Sequence, residues 1–150
     1  FVNAIDGLTL PGRCEWRTVE GVDILLDGAH NAEAARALRD WLIRTQPDRR
    51  WTLLTGMLDG HEPLPFYQAF EGLIDRAIVA PIGFHRAIPA PKLAATLAER
   101  FADVAPAATV DEALQMALAS ARAQGTSVLV TGSFYLVGAV GAAIERLAQK

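Results

Sequence analysis

Residues 22–40, VDILLDGAHNAEAARALRD, constrain the fold more than any other stretch of the chain. Val22 through Leu26 form an apolar run of strand length, and from Asn31 onward Ala34, Ala35, Leu38, Trp41 and Leu42 recur at helical spacing. Asp27-Gly28-Ala29-His30-Asn31 must therefore turn the chain from strand to helix. Gly28 is expected to permit the tight turn. Asn31 is expected to cap the helix, because its side-chain oxygen can accept from a first-turn amide. Asp27 and His30 then stand at the carboxyl end of a strand, where open α/β sheets bind ligands. The adjoining helix N-terminus favours an anion there. A plainer reading, in which Asp27 only closes the turn and His30 faces solvent, fits the bare pattern equally well.

The same alternation runs through the chain. Strands are expected at residues 14–19, 22–27, 51–55, 76–80, 104–107 and 127–131. Glu20-Gly21 links the first two into a hairpin. Helices are expected at residues 31–45, 63–73, 90–101, 109–123 and 134–149. The second begins at Pro63 and Pro65, the fourth opens on a Thr109/Glu112 capping box, and Gly125 closes that fourth helix. Strand–helix alternation implies parallel pairing, so the expected fold class is α/β: an open, mostly parallel, doubly wound sheet flanked by helices, with an N-terminal antiparallel hairpin. Residues 1–9 read as a connector, Leu10-Pro11-Gly12 as a turn, and residues 10–150 as one domain.

Apolar residues make up 51% of the 150-residue chain and charged residues 21%, a globular balance. A net charge of -3 argues against a general nucleic-acid binder. No apolar run approaches the ~20 residues of a membrane helix. The single cysteine, Cys14, excludes an internal disulfide, and no signal peptide is visible, so a cytoplasmic location is expected. The chain begins at Phe1 rather than methionine, as a fragment or a processed product would.

All three histidines, His30, His61 and His85, fall in loops after predicted strands, and Gly132-Ser133 follows another. Those loops are expected to open on one edge of the sheet. Asp27, His30, His61, Glu62 and His85 have metal-ligand chemistry but no tight ligand spacing. Ser133 lacks the second glycine of a G-x-S-x-G nucleophile elbow. Gly132-Ser133 can instead hold a carboxylate or phosphate through amides and a hydroxyl, or serve only as a helix cap. Neither a G-x-x-x-x-G-K-[ST] loop nor a G-x-G-x-x-G is present, so the chain carries no complete phosphate-binding loop of its own.

Four stretches in order resemble one family. They are Leu10-Pro11-Gly12-Arg13, Leu26-Asp27-Gly28-Ala29-His30-Asn31, Gly56-Met57-Leu58, and Gly132-Ser133-Phe134-Tyr135-Leu136-Val137-Gly138. Together they are similar to the C-terminal domain of folylpolyglutamate synthase/dihydrofolate synthase, the folate branch of the Mur ligase superfamily. The resemblance implies a Rossmann-like domain that closes on a preceding ATPase domain carrying the P-loop and the magnesium ligands. It implies small-molecule substrates, namely ATP, glutamate and a folate or dihydropteroate, joined through an acyl phosphate. It also implies roles. Arg13 and Asp27 would contact ATP, His30 would be catalytic and near glutamate, and Gly132 with Ser133 would hold glutamate. Metal ligands are not expected in this chain. Three positions depart from the family pattern: Ala32 where proline is usual, His61 where lysine is usual, and Ala139 where glutamate is frequent. The His61 change admits a related ligase with another carboxylate acceptor, or a stand-alone binding domain.

Overall fold

A computed structural model describes residues 13–149. The connector and the Leu10-Pro11-Gly12 turn lie outside the described residues. Six strands and five helices are described: β1 (Glu15–Val19), β2 (Val22–Leu26), α1 (Ala32–Thr45), β3 (Trp51–Thr55), α2 (Pro63–Gln68), β4 (Ile74–Val79), α3 (Ala90–Leu97), β5 (Val104–Pro106), α4 (Val110–Gln124), β6 (Ser127–Thr131) and α5 (Phe134–Ala148). They form one sheet of order β1-β2-β6-β3-β4-β5. β1 and β2 pair antiparallel, and every other pairing is parallel. Glu20 and Gly21 both take positive φ, +51° and +82°. A two-residue turn of that hand matches the twist of the strands it joins.

The sheet is buried on both faces, and the period of two divides its side chains between two cores. Ile24, Leu26, Leu54, Ile78, Val128 and Val130 face α4 and α5. Leu25, Leu53, Ala77, Val79 and Leu129 face α1, α2 and α3. All of these but Leu26, at 2%, are inaccessible to solvent. Burying one such side chain is worth ~1.5–3 kcal/mol, so strand register is fixed by the apolar pattern itself.

The caps follow the sequence. Asn31 Oδ1 accepts from Ala34 N at 2.8 Å. Thr109 Oγ1 accepts from Glu112 N at 2.9 Å, and Glu112 Oε1 accepts in return from Ala108 N at 2.7 Å. Gly125 ends α4 in the left-handed region at φ +71°. Two helices are shorter than their apolar spacing predicts. α2 stops at Gln68, and its chain tightens into i→i+3 bonds from Ala69, Phe70, Glu71 and Leu73 before Gly72 turns at φ +87°. α3 stops at Leu97 in the same way, with Glu99 and Arg100 donating three residues back. Leu73 and Phe101 still pack on the core although neither is helical.

β6, last in sequence, lies between β2 and β3. The connections leaving β2 and β6 therefore diverge to opposite faces, which opens a crevice at the carboxyl ends of β2, β6 and β3. That divergence is the usual ligand position in open α/β sheets.

Candidate functional site

Three loops meet at the crevice. Asp27 N donates to Val130 O at 2.9 Å, and Gly132 N to Ala29 O at 3.0 Å, stitching the β2 and β6 exits together. Thr55, ending β3, donates its hydroxyl to Thr131 O at 2.6 Å and accepts from the Tyr67 hydroxyl at 2.7 Å. Thr55, Tyr67 and Thr131 are fully buried, so this chain of hydrogen bonds forms a rigid polar floor. Burial pushes the Tyr67 phenol up, opposed only by its bond to Thr55. None of these three residues stood out in the sequence; the signal was a polar residue ending each of two apolar strands.

Above the floor lies a cleft of about 150 Å³ lined by His30, Leu58, His61, Gly132, Ser133, Phe134 and Tyr135. His30 Nδ1 lies 3.0 Å from the Gly28 carbonyl, which can only accept, so Nδ1 carries the proton. In the neutral ring Nε2 is then left as a proton acceptor. The His61 ring packs edge-on against His30 with centroids 5.4 Å apart, and Phe134 lies 5.8 Å from His30 on its other side. Ser133 Oγ caps α5 by accepting from Tyr135 N at 3.0 Å. First-turn amides of a helix have no intrahelical partner, so the start of α5 presents donors to the cleft.

Gly28 meets a packing constraint that its place in the turn does not suggest. Its φ is not positive, but a Cβ there would run into the Phe134 ring. Gly132 is required twice over: its φ is +128°, and a Cβ would meet the Gly56 carbonyl oxygen and come within 2.7 Å of Thr55 Oγ1.

Asp27 is buried and its carboxylate is already engaged. Oδ1 accepts from Cys14 N at 3.0 Å and faces the Cys14 thiol at 3.6 Å, while Oδ2 accepts from Ala29 N at 3.0 Å. Asp27 thus ties the Arg13–Cys14 segment to the β2 exit loop. The exposed Arg13 guanidinium sits 5.1 Å from the Phe134 ring centroid, on the cleft's rim. Burial, reinforced by Asp27, pushes the Cys14 thiol from 9.0 up to about 12. At pH 8 it is therefore a neutral thiol, and a disulfide reagent should modify it at least about 100-fold more slowly than free cysteine. Asp27→Asn should speed that reaction; equal rates in both proteins would refute the coupling. The sign for stability follows. A thiol pKa raised on folding contributes fully below about pH 9, and the contribution fades as pH rises toward 12.

The five-residue metal set does not assemble. Among the described residues no three His, Cys, Asp or Glu side chains converge as ligands. Asp27 is turned toward Cys14 and Ala29, and the exposed His85 packs on Phe84 at 4.7 Å. Ser133 is engaged as a cap, and no hydrogen bond joins it to a histidine among the described residues. Nor is any helix among them long and apolar enough to cross a membrane.

The family description "Mur ligase, glutamate ligase domain" matches residues 12–134. The chain belongs to the Mur ligase family. Its fold is similar to Mycobacterium tuberculosis folylpolyglutamate synthase complexed with ADP, at TM-score 0.83 and 26% identity over 91% of this chain and 33% of that one. It is also similar to the Yersinia pestis bifunctional folylpolyglutamate synthase/dihydrofolate synthase complexed with AMPPNP and Mn ion, at TM-score 0.78 and 28% identity over 93% and 32% of the two chains. E. coli FolC in complex with DHPP and ADP matches at TM-score 0.78 and 27% identity over 96% and 33%. No curated protein matches by sequence. The chain thus spans about a third of these structures.

Proposed function

We propose that this chain is the nucleotide- and glutamate-contacting domain of an ATP-dependent ligase that joins glutamate to folate or dihydropteroate. The observation that carries this reading is the cleft itself, where the free Nε2 of His30, the α5 amides and Ser133 share one crevice at the sheet's divergence point. That set suits an anionic amino acid whose amine must lose a proton. Membership in the Mur ligase family supports the reaction class.

In this reading the acceptor carboxylate takes the terminal phosphoryl group of ATP, and ADP leaves. The glutamate nitrogen then attacks the acyl carbon; the C–N bond forms, the C–O bond to phosphate breaks, and phosphate departs. His30 Nε2 receives the proton lost by nitrogen. Arg13, held by the Asp27 tether, offers its guanidinium to the nucleotide phosphates across the domain interface. Asp27 orients the nucleotide through that tether or accepts from its ribose. Gly132 brings the β6 exit close enough for Ser133 to reach glutamate. Magnesium would neutralise phosphate charge, held by ligands of a preceding ATPase domain. Domain closure would keep water from the acyl phosphate.

The test is ligation by the full-length polypeptide with ATP, glutamate and a panel of pteroates, folates and other acids. ATP- and glutamate-dependent conjugation of a pteroate or folate is expected. Conjugation of another acid alone would move the protein to a different Mur-type ligase, the reading that His61 favours. Nucleotide binding without any conjugation would make it a non-catalytic domain.

A further inference from the structure

We infer that Arg86 is the cation that binds a carboxylate of the incoming dicarboxylic amino acid, and so sets the preference for an acidic over a neutral one. The inference rests on the ligase reading above and adds to it a residue that neither motif nor cleft lining singles out. Arg86 lies in the loop between β4 and α3, and two hydrogen bonds, which together make one antiparallel bridge, fix that loop to the β3 exit. Asp59 N donates to Arg86 O at 2.5 Å, Ile88 N donates to Met57 O at 2.8 Å, and Leu58 bridges Ala87. The other flank is fixed by Phe84, which stacks on Tyr135 with centroids 4.4 Å apart. Leu58 and Tyr135 both line the cleft, so the loop is fastened to two of its walls.

The guanidinium lies beside the next turn of that wall. A Cβ placed on Gly60 would be 3.5 Å from Arg86 Nη2, and Gly60 precedes His61, whose ring packs on His30. Arg86 is exposed and, like Arg36, Arg39 and Arg44, belongs to none of the ion pairs among the described residues, but it alone of these four lies in a loop fastened to the cleft walls. One guanidinium, that of Arg13, thus sits over Phe134, and another, that of Arg86, beside Gly60, the residue before His61. Between them run Phe134, His30 and His61. A transferring phosphate at one end and a dicarboxylic amino acid at the other would match that charge arrangement. The α5 amides and Ser133 satisfy one carboxylate; the planar fork of Arg86 fits the second.

In the full-length polypeptide, Arg86→Ala should raise KM for L-glutamate roughly 10- to 100-fold, the worth of one charge-assisted pair, and leave KM for ATP within about twofold. Arg86→Lys should recover part of the loss, because a point charge replaces the fork. Discrimination between L-glutamate and L-glutamine should shrink in Arg86→Ala. As an exposed substitution it should keep the wild-type melting temperature. An unchanged KM for glutamate, or equal rises in both KM values, overturns the inference while the ligase reading stands. A wild-type enzyme that conjugates glutamine as readily as glutamate overturns the inference and the glutamate assignment together.

Discussion

Gly132→Ala should destabilise the domain by about 2–6 kcal/mol, combining backbone strain with overpacking. Domains of this size have only ~5–15 kcal/mol in total, so much of the protein would be unfolded near its normal melting range. At φ +128° any side chain is strained, and here the new Cβ has nowhere to go. The Gly56 carbonyl and Thr55 Oγ1 that it would strike belong to the β3 exit, where Thr55 is locked between Thr131 and Tyr67 and its own carbonyl accepts from Ala80. Relief would require breaking buried hydrogen bonds or parting β3 from β6. Gly125 supplies the control. It too has positive φ, +71°, but a Cβ there meets nothing within 4 Å. Gly125→Ala should therefore cost only ~1 kcal/mol, the conformational part alone. Urea unfolding of the two variants separates strain from collision; equal losses would mean the β6 exit is looser than the structure shows.

The contrast between these glycines also marks how far the sequence could be read. Gly125 was legible because a left-handed helix stop is a local matter. Gly132 was legible as part of a motif, but not as a packing position, because its partners lie some 76 residues earlier in β3. Gly28 was placed in the right loop, but the close approach of the Phe134 ring is a tertiary fact that a local reading does not reach. Strands and caps came through well, since register and capping follow from period and from side-chain chemistry. The ends of α2 and α3 did not, because Leu73 and Phe101 continue the apolar spacing after the backbone has left the helix. Alternation predicted a parallel sheet without predicting that β6 would insert between β2 and β3. That insertion brings Ser133 to His30. The convergence of His30 with His61 was anticipated only as a shared edge, and His85, on the same edge, turned to Phe84 instead. Asp27 could not be known as a tether, since its partner Cys14 reaches it only through the register of the hairpin.

If the proposed ligase reading holds, with His30 as its general base, His30→Ala should lower the ligation rate of the full-length polypeptide by about 10²–10⁴-fold, the usual worth of such a base. The fold should survive. His30 is only partly buried, its Nδ1 bond is to the carbonyl two residues back, and the helix it precedes is capped by Asn31. A melting temperature close to wild type would therefore accompany the loss. The neighbouring imidazole stands elsewhere: His61 meets His30 edge-on from a different loop, with the ring centroids 5.4 Å apart. His30→Gln sharpens the experiment, because it keeps a polar group of similar reach yet cannot take up a proton. If His30 only orients glutamate, Gln should restore most of the rate. If Nε2 receives the proton from the attacking amine, Gln should remain nearly as slow as Ala while KM for glutamate recovers. Ligation within threefold of wild type in both variants would remove His30 from the chemistry and leave the α5 amides and Ser133 as a binding surface alone.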